Sequence, residues 1–402
     1  MRFNSFSFLT LGVTALLLSA CGGGGNESPT KVKITAVKTA GDSLLDVGAL
    51  QGLKPADNKG LGNGRIFSIQ SSDDEPYVIW SERIARNLGL AKLCSYYSAT
   101  ALATFTTKDE CSSFAVGRSA INPTNIELGN GASPTSAYSI TQQLTAMGNK
   151  GFTGSELVLI DGGGNDAADL IKAYLAVSSD TGTAFLTLTK SLGGTSASEI
   201  EAVLNGTEST KRATAGTMYM QALADYFYAS IKTNLLNKGV KQIAILNVPK
   251  VTATVQFTQT YALLKSVKGL TDAQISSLDT MFNGWVNAFN KRLNEKVTGD
   301  PRIRIADFYT AFEDQVRNPA QFGLTNVTKT ACPGTLEPTG SYSYTLGTCT
   351  PTYLSANIPQ GETKPDWWKT YAFADNFHPT PYGHQLISQL VSITLARAGW
   401  IQ

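Results

Sequence analysis

The chain has 402 residues, 42% of them hydrophobic, which is enough for one large core or two smaller ones and excludes a disordered chain. Lys and Arg number 33 against 31 Asp and Glu, a net charge of +2, so no strong field exists to hold nucleic acid or an acidic polymer. Nucleic-acid binding is set aside on that ground.

In chain order, the first element is a targeting segment over residues 1–20. Arg2 gives it a positive start, Phe8 and the residues up to Leu18 form an apolar stretch too short to span a bilayer, and small residues follow. The junction Leu18-Ser19-Ala20-Cys21 resembles a bacterial lipobox, which implies cleavage before Cys21 and acylation of that residue. Several acyl chains on one residue give stable anchoring. Residues 21–30, with four glycines after Cys21, read as a flexible tether, and Gly22 in place of Asp resembles lipoproteins sent to the outer membrane. The expected location is the cell envelope, facing the periplasm or the surface, with the folded domain over residues 31–402.

Val32, Ile34 and Ala36 alternate with polar residues and predict a first strand running into Gly41-Asp42-Ser43. Short apolar runs predict further strands at 113–116, 157–161, 241–248 and 302–305. Between them, helical patterns cover 80–90, 139–147, 167–176, 217–236, 273–296 and 382–398. The helix at 273–296 has a capping box, Thr271 with Gln274, and a stripe of Ile275, Leu278, Phe282, Trp285, Phe289 and Leu293. The last helix has Thr380 as its cap and Pro381 in its first turn. Strands alternating with helices predict one α/β domain, a parallel sheet with helices on both faces. The Thr-, Ser- and Gly-rich stretches 178–214 and 323–363 read as elaborations on it.

Four cysteines remain after Cys21. In an exported chain an even count favours disulfides, and short loops favour Cys94 with Cys111 and Cys332 with Cys349. With two histidines and no C-x-x-C spacing, neither a metal site nor a cofactor is expected.

The chemistry resides at the two ends of the domain. Ser43 stands on a sharp turn after a strand, and Asp375-Asn376-Phe377-His378 places a carboxylate three residues before an imidazole. Ester cleavage needs a nucleophile, a base, a carboxylate to orient that base, and donors for the oxygen that becomes negative. Ser43, His378 and Asp375 fill the first three roles. His384, inside the last helix, is expected to be structural.

Gly41-Asp42-Ser43-Leu44, Phe114-Ala115-Val116-Gly117, Gly163-Gly164-Asn165-Asp166 and Asp375 to His378 appear in the order of the SGNH, or GDSL, serine hydrolase blocks. The chain resembles that family, close to its lecithinase, hemolysin and outer-membrane esterase branch. The resemblance implies a three-layer α/β/α fold. It also implies an oxyanion hole made by the N–H groups of Ser43 and Gly117 and the side chain of Asn165. Asp42 and Asp166 then bond nearby backbone groups. One block departs from the pattern: Arg118 and Ser119 follow Gly117 where the branch often has another glycine and an alanine, which places a long cation near the cleft.

The substrate expected is a small-molecule or lipid acyl ester, met by a monomer held to the membrane through Cys21. Trp367, Trp368, Tyr219, Tyr226, Phe227 and Tyr228 are available as apolar walls or as core. A carbohydrate O-acetylesterase on the same scaffold and a non-catalytic envelope-binding lipoprotein are the alternatives.

Overall fold

The computed structural model describes residues 33–53, 64–124, 133–338 and 340–401. The expected signal segment 1–20, Cys21 with the tether 21–30, and Val32 of the first expected strand lie outside the described residues.

Strand β1 (Ala36–Ala40) leads directly into Gly41. Helix α1 (Trp80–Asn87) starts where Glu82 turns back to accept the Ile79 N–H at 3.2 Å. The loop closed by the Cys94–Cys111 disulfide is a hairpin of β2 (Tyr97–Ala101) and β3 (Thr104–Thr107). Helix α2 (Ile140–Asn149) is capped by Ser139, and β4 (Glu156–Ile160), buried along its length, leads through a glycine turn into α3 (Gly164–Leu175).

Residues 178–214, expected to be an elaboration on the core, are mostly helical and complete it. They form the end of α4 (Val177–Asp180), then α5 (Thr183–Lys190), α6 (Gly194–Asn205) and the start of α7 (Lys211–Asn234). Phe185, Leu188 and Ile200 bury in the core, and that packing outweighs the weak helix propensity of the Thr, Ser and Gly around them.

Strand β5 (Gln242–Leu246) follows, then α8 (Val255–Lys268), α9 (Asp272–Val297) with the predicted Thr271–Gln274 box, β6 (Ile303–Ala306) and α10 (Phe308–Arg317). Helix α8 lacks a sequence signal because it buries only Val255 and Phe257. The rest comprises β7 (Asn326–Thr330), a hairpin of β8 (Gly334–Leu336) and β9 (Tyr342–Tyr344), α11 (Pro351–Ala356), β10 (Tyr371–Phe373) and α12 (Pro381–Arg397). The Cys332–Cys349 disulfide closes the loop that carries β8 and β9.

The central sheet has the order β1-β4-β5-β6, parallel throughout. Side chains alternate across it, as the period of two requires. Val158, Ile160, Ile243, Ile245 and Ile303 enter one core with residues of α2, α3, α7 and α9. Leu157, Leu159, Ala244, Leu246 and Ala306 enter a second with residues of α1, α10 and α12. Fully burying each aliphatic side chain is worth about 1.5–3 kcal/mol, so a sheet apolar on both faces has to be covered on both. That covering makes the three-layer α/β/α arrangement of an SGNH hydrolase fold.

The expected strand at 113–116 is present only as a bridge. Phe114 N–H donates to the Thr39 carbonyl at 2.7 Å and Val116 N–H to Gly41 at 3.2 Å, along the free edge of β1. Ser113 also exchanges backbone bonds with Cys94 and Tyr96, which draws the segment away before a ladder can extend.

Candidate active site

The nucleophile turn is built by carboxylates and a missing side chain. Gly41 N–H donates to Gln143 Oε1 and Asp42 N–H to Asp161 Oδ1, each at 2.8 Å. A Cβ on Gly41 would stand 1.7 Å from that Asp161 oxygen, so only glycine lets the carboxyl approach the backbone here. Asp42 Oδ1 accepts the Leu44 N–H at 3.0 Å, and Asp46 Oδ1 accepts those of Gly48 and Ala49. These bonds hold Ser43, only 4% exposed, at the C-terminal end of β1.

The other end of the site is a tight return between β10 and α12. Ala374 N–H donates to the His378 carbonyl at 2.8 Å, and Thr380 N–H to Ala372 at 2.9 Å. Ser68 Oγ donates to the Pro379 carbonyl at 2.8 Å, and the Phe67 ring lies against the His378 ring with centroids 5.1 Å apart. Thr380 accepts the Gly383 N–H and starts α12, so the imidazole stands on a loop fixed from both sides.

Ser43, His378 and Asp375, 335 residues apart at the extremes, come together. His378 Nε2 is 2.8 Å from Ser43 Oγ, and His378 Nδ1 is 2.7 Å from Asp375 Oδ2. Burial pushes the Asp375 carboxyl up, but the His378 charge, its ring hydrogen bond and the N–H groups of His378 and Phe377 together hold it below its usual value. An ionised carboxylate only accepts, so Nδ1 carries the proton and Nε2 is left to accept from the Ser43 hydroxyl. His384, fully buried, has its pKa lowered to about 3, chiefly by desolvation; it is neutral and structural.

One expected oxyanion donor is committed elsewhere. The Gly117 N–H donates to Asp46 Oδ2 at 2.7 Å, and a Cβ on Gly117 would stand 2.1 Å from the Phe67 ring. Gly117 is therefore required by packing behind His378. The next residue, Arg118, lines the cleft and has φ 65°, a left-handed backbone that costs a non-glycine residue about 1–2 kcal/mol. Asn165 lines the same cleft, one of its Nδ2 hydrogens anchored on the Ser119 carbonyl at 2.9 Å and the other left over. It does not cap α3, whose N-cap is Gly163.

Two further carboxylates, Asp46 and Asp166, serve the site from behind. Asp166 accepts the N–H groups of Ile121 and Asn122, and burial pushes its pKa up to about 7 despite those bonds. Burial likewise pushes Asp46 up to about 6. The role of Asp166 matches the expectation from sequence, whereas Asp46, which follows directly on the first block, has no role assigned to it there.

Two spaces meet at Ser43. The larger, about 560 Å³, is lined by Arg118, Asn165 and His378, by Ile171 and Leu175 of α3, by Phe257 and Gln259 of α8, and by Tyr342 and Tyr344 of β9. The smaller, about 60 Å³, lies under the His378 loop among Val248, Phe312, Phe377 and Leu386. The aromatic residues offered as walls from sequence line neither space. Tyr219, Phe227, Trp367 and Trp368 are core, and Tyr226 is 42% exposed away from the cleft.

The family model of the GDSL-like lipase/acylhydrolases matches residues 37–391, nearly the whole folded chain. The protein belongs to that family, whose members are hydrolases of the ester type. No curated protein matches the chain.

Proposed function

We propose that the protein is a serine carboxylic-ester hydrolase of the esterase or lysophospholipase type that works through an acyl-enzyme intermediate while tethered to the bacterial envelope. The observation that carries this reading is the unbroken Ser43–His378–Asp375 hydrogen-bonded chain opening on a cleft. Ser43 Oγ attacks the ester carbonyl carbon as its proton passes to His378 Nε2, and Asp375 stabilises the imidazolium. The carbonyl oxygen, now negative, takes the N–H of Ser43 and the remaining Nδ2 hydrogen of Asn165. The tetrahedral intermediate expels the alcohol, which leaves with the proton from His378. Water then repeats the sequence on the acyl-enzyme, releasing the acid and Ser43.

Anchoring at Cys21 and residence in the outer membrane rest on the lipobox-like junction and the glycine tether. Mass spectrometry should find acyl chains on Cys21, and Cys21→Ser should release the protein from membranes. The test of the chemistry is covalent labelling by a fluorophosphonate together with hydrolysis of 4-nitrophenyl acetate. Both should depend on Ser43, with kcat falling on the order of 10⁶-fold in Ser43→Ala. Equal labelling of the variant would sink the reading.

A further inference from the structure

The two spaces at Ser43 differ in size and in wall chemistry, and Ser43 and Phe377 line both. In the tetrahedral intermediate three of the four bonds at the reacting carbon have fixed directions. One goes to Ser43 Oγ. The negative oxygen must face Asn165, and the leaving oxygen must lie within reach of His378 Nε2 to collect its proton. Asn165 and His378 both line the large cleft, and neither lines the small cavity. The alcohol portion therefore occupies the large cleft. The fourth substituent, the acyl tail, is the one with the small cavity open to it.

That cavity is walled mostly by apolar side chains, Leu246, Val248, Phe308, Phe312, Phe373 and Leu386 among them, with the carboxyls of Asp42 and Asp161 at the Ser43 turn, so its greater part suits hydrocarbon. Its volume of about 60 Å³ equals roughly two water-sized groups. Apart from Val248, these apolar side chains belong to the buried core on the α10 and α12 side of the sheet, where an extra methylene forces packing apart. The large cleft carries hydrogen-bonding groups, among them Lys172, Gln256, Gln259, Thr260 and Asn376, interleaved with apolar side chains such as Ile171 and Phe257. These groups match hydroxyls better than they match an alkyl chain.

We infer that this enzyme, taken as the ester hydrolase proposed above, selects short acyl groups, acetyl and propionyl, carried on a bulky polyhydroxylated alcohol such as an oligosaccharide. The small cavity measures the acyl tail, and the cleft receives the alcohol. Phe312, which lines that cavity, is a specificity-determining residue.

The experiment is a comparison of kcat/KM for 4-nitrophenyl acetate, butyrate, octanoate and palmitate, using the full chain in detergent with Ser43→Ala as background. Acetate release from an acetylated xylan oligosaccharide is measured beside fatty-acid release from 1-palmitoyl glycerophosphocholine. The expected result is a fall of at least about tenfold from acetate to octanoate, preferred cleavage of the acetylated oligosaccharide, and a several-fold rise in the octanoate-to-acetate ratio in Phe312→Ala. If Phe312→Ala does not fold, the wild-type profile decides. A rate that is level or rises toward palmitate, or cleavage of the lysophospholipid alone, overturns this inference and leaves the ester-hydrolase reading intact. No Ser43-dependent hydrolysis of any ester overturns both.

Discussion

The loops that carry the reacting groups and the hairpin that borders the cleft are held by different means. Three buried carboxylates each accept two or more backbone N–H groups: Asp46 those of Gly48, Ala49 and Gly117, Asp166 those of Ile121 and Asn122, and Asp375 those of Phe377 and His378. Each clamp lies within a few residues of Ser43, Arg118 or His378. Among the described residues of the β8 and β9 hairpin no such clamp is seen; Leu336 is 60% and Tyr342 38% exposed, and the Cys332–Cys349 disulfide closes its base. Charge-assisted bonds to backbone fix positions tightly, whereas one covalent tie limits only how far a loop can travel. The difference teaches that changes on the carboxylate side should appear in kcat and changes at the hairpin in KM.

Asp375→Asn presses hardest on that contrast. The amide puts a donor or a weaker acceptor against His378 Nδ1, which favours the wrong tautomer and leaves the imidazolium without its counter-charge. In triads of this type the loss is about 10⁴-fold in kcat. Steady-state kinetics on 4-nitrophenyl acetate should show that loss with KM little altered. A loss below tenfold would mean that Asp375 only shapes the loop. Asn165→Ala removes one oxyanion donor and should lower kcat by roughly 10²–10³-fold, again at nearly constant KM. If KM rises instead, Asn165 binds substrate in its ground state.

The hairpin supplies the opposite signature. Its disulfide spans a sequence separation of 17, and a loop of that size is worth about 3 kcal/mol. Cys332→Ser/Cys349→Ser should lose that much in urea unfolding while kcat stays near wild type and KM rises. An equal fall in kcat would show that the hairpin helps to place the triad, and the comparison would collapse.

Most of the sheet and both ends of the site were legible in the sequence because each has a local cause. The strands at β4, β5 and β6 are short aliphatic runs, α9 has a capping box and an unbroken stripe, and Asp375 and His378 are near neighbours. What stayed hidden depends on contacts distant in sequence. The helices α5 and α6 form because Phe185, Leu188 and Ile200 find a core that no local pattern announces. Asp46 reaches a donor 71 residues away, and this capture removes the Gly117 N–H from the expected oxyanion donors. The aromatic residues of α7 look from sequence like cleft walls, but Phe227 packs on Phe289 of α9, Tyr219 is buried beside Asn122 and Tyr226 is exposed; the true walls, Phe257 and Tyr342, stand on elements with weak periodicity.

The carboxylate clamps carry a cost that pH should reveal. Asp166 has a folded pKa pushed up to about 7 by burial, against about 3.9 for an unfolded aspartate. A raised folded pKa means that the native state holds more protons than the unfolded state between those values, so stability falls as pH rises through that window. The contribution is complete below about pH 4 and gone above about pH 7. Asp46, pushed up to about 6, adds the same sign over a narrower range, and Asp375, held below its usual value, has the opposite sign: its stability is present above the unfolded pKa and lost as the solution becomes more acidic. In Asp166→Asn the titration vanishes. The amide also turns an N–H toward either the Ile121 or the Asn122 N–H, a penalty that does not vary with pH. Absolute stability is therefore the wrong readout, and the slope is the right one. Urea unfolding at several values between about pH 5 and pH 7 should show wild type losing roughly 2 kcal/mol more than Asp166→Asn across that interval. Parallel curves would mean that Asp166 is ionised throughout. The clamp on Ile121 and Asn122 would then be a full carboxylate at every pH at which the enzyme works.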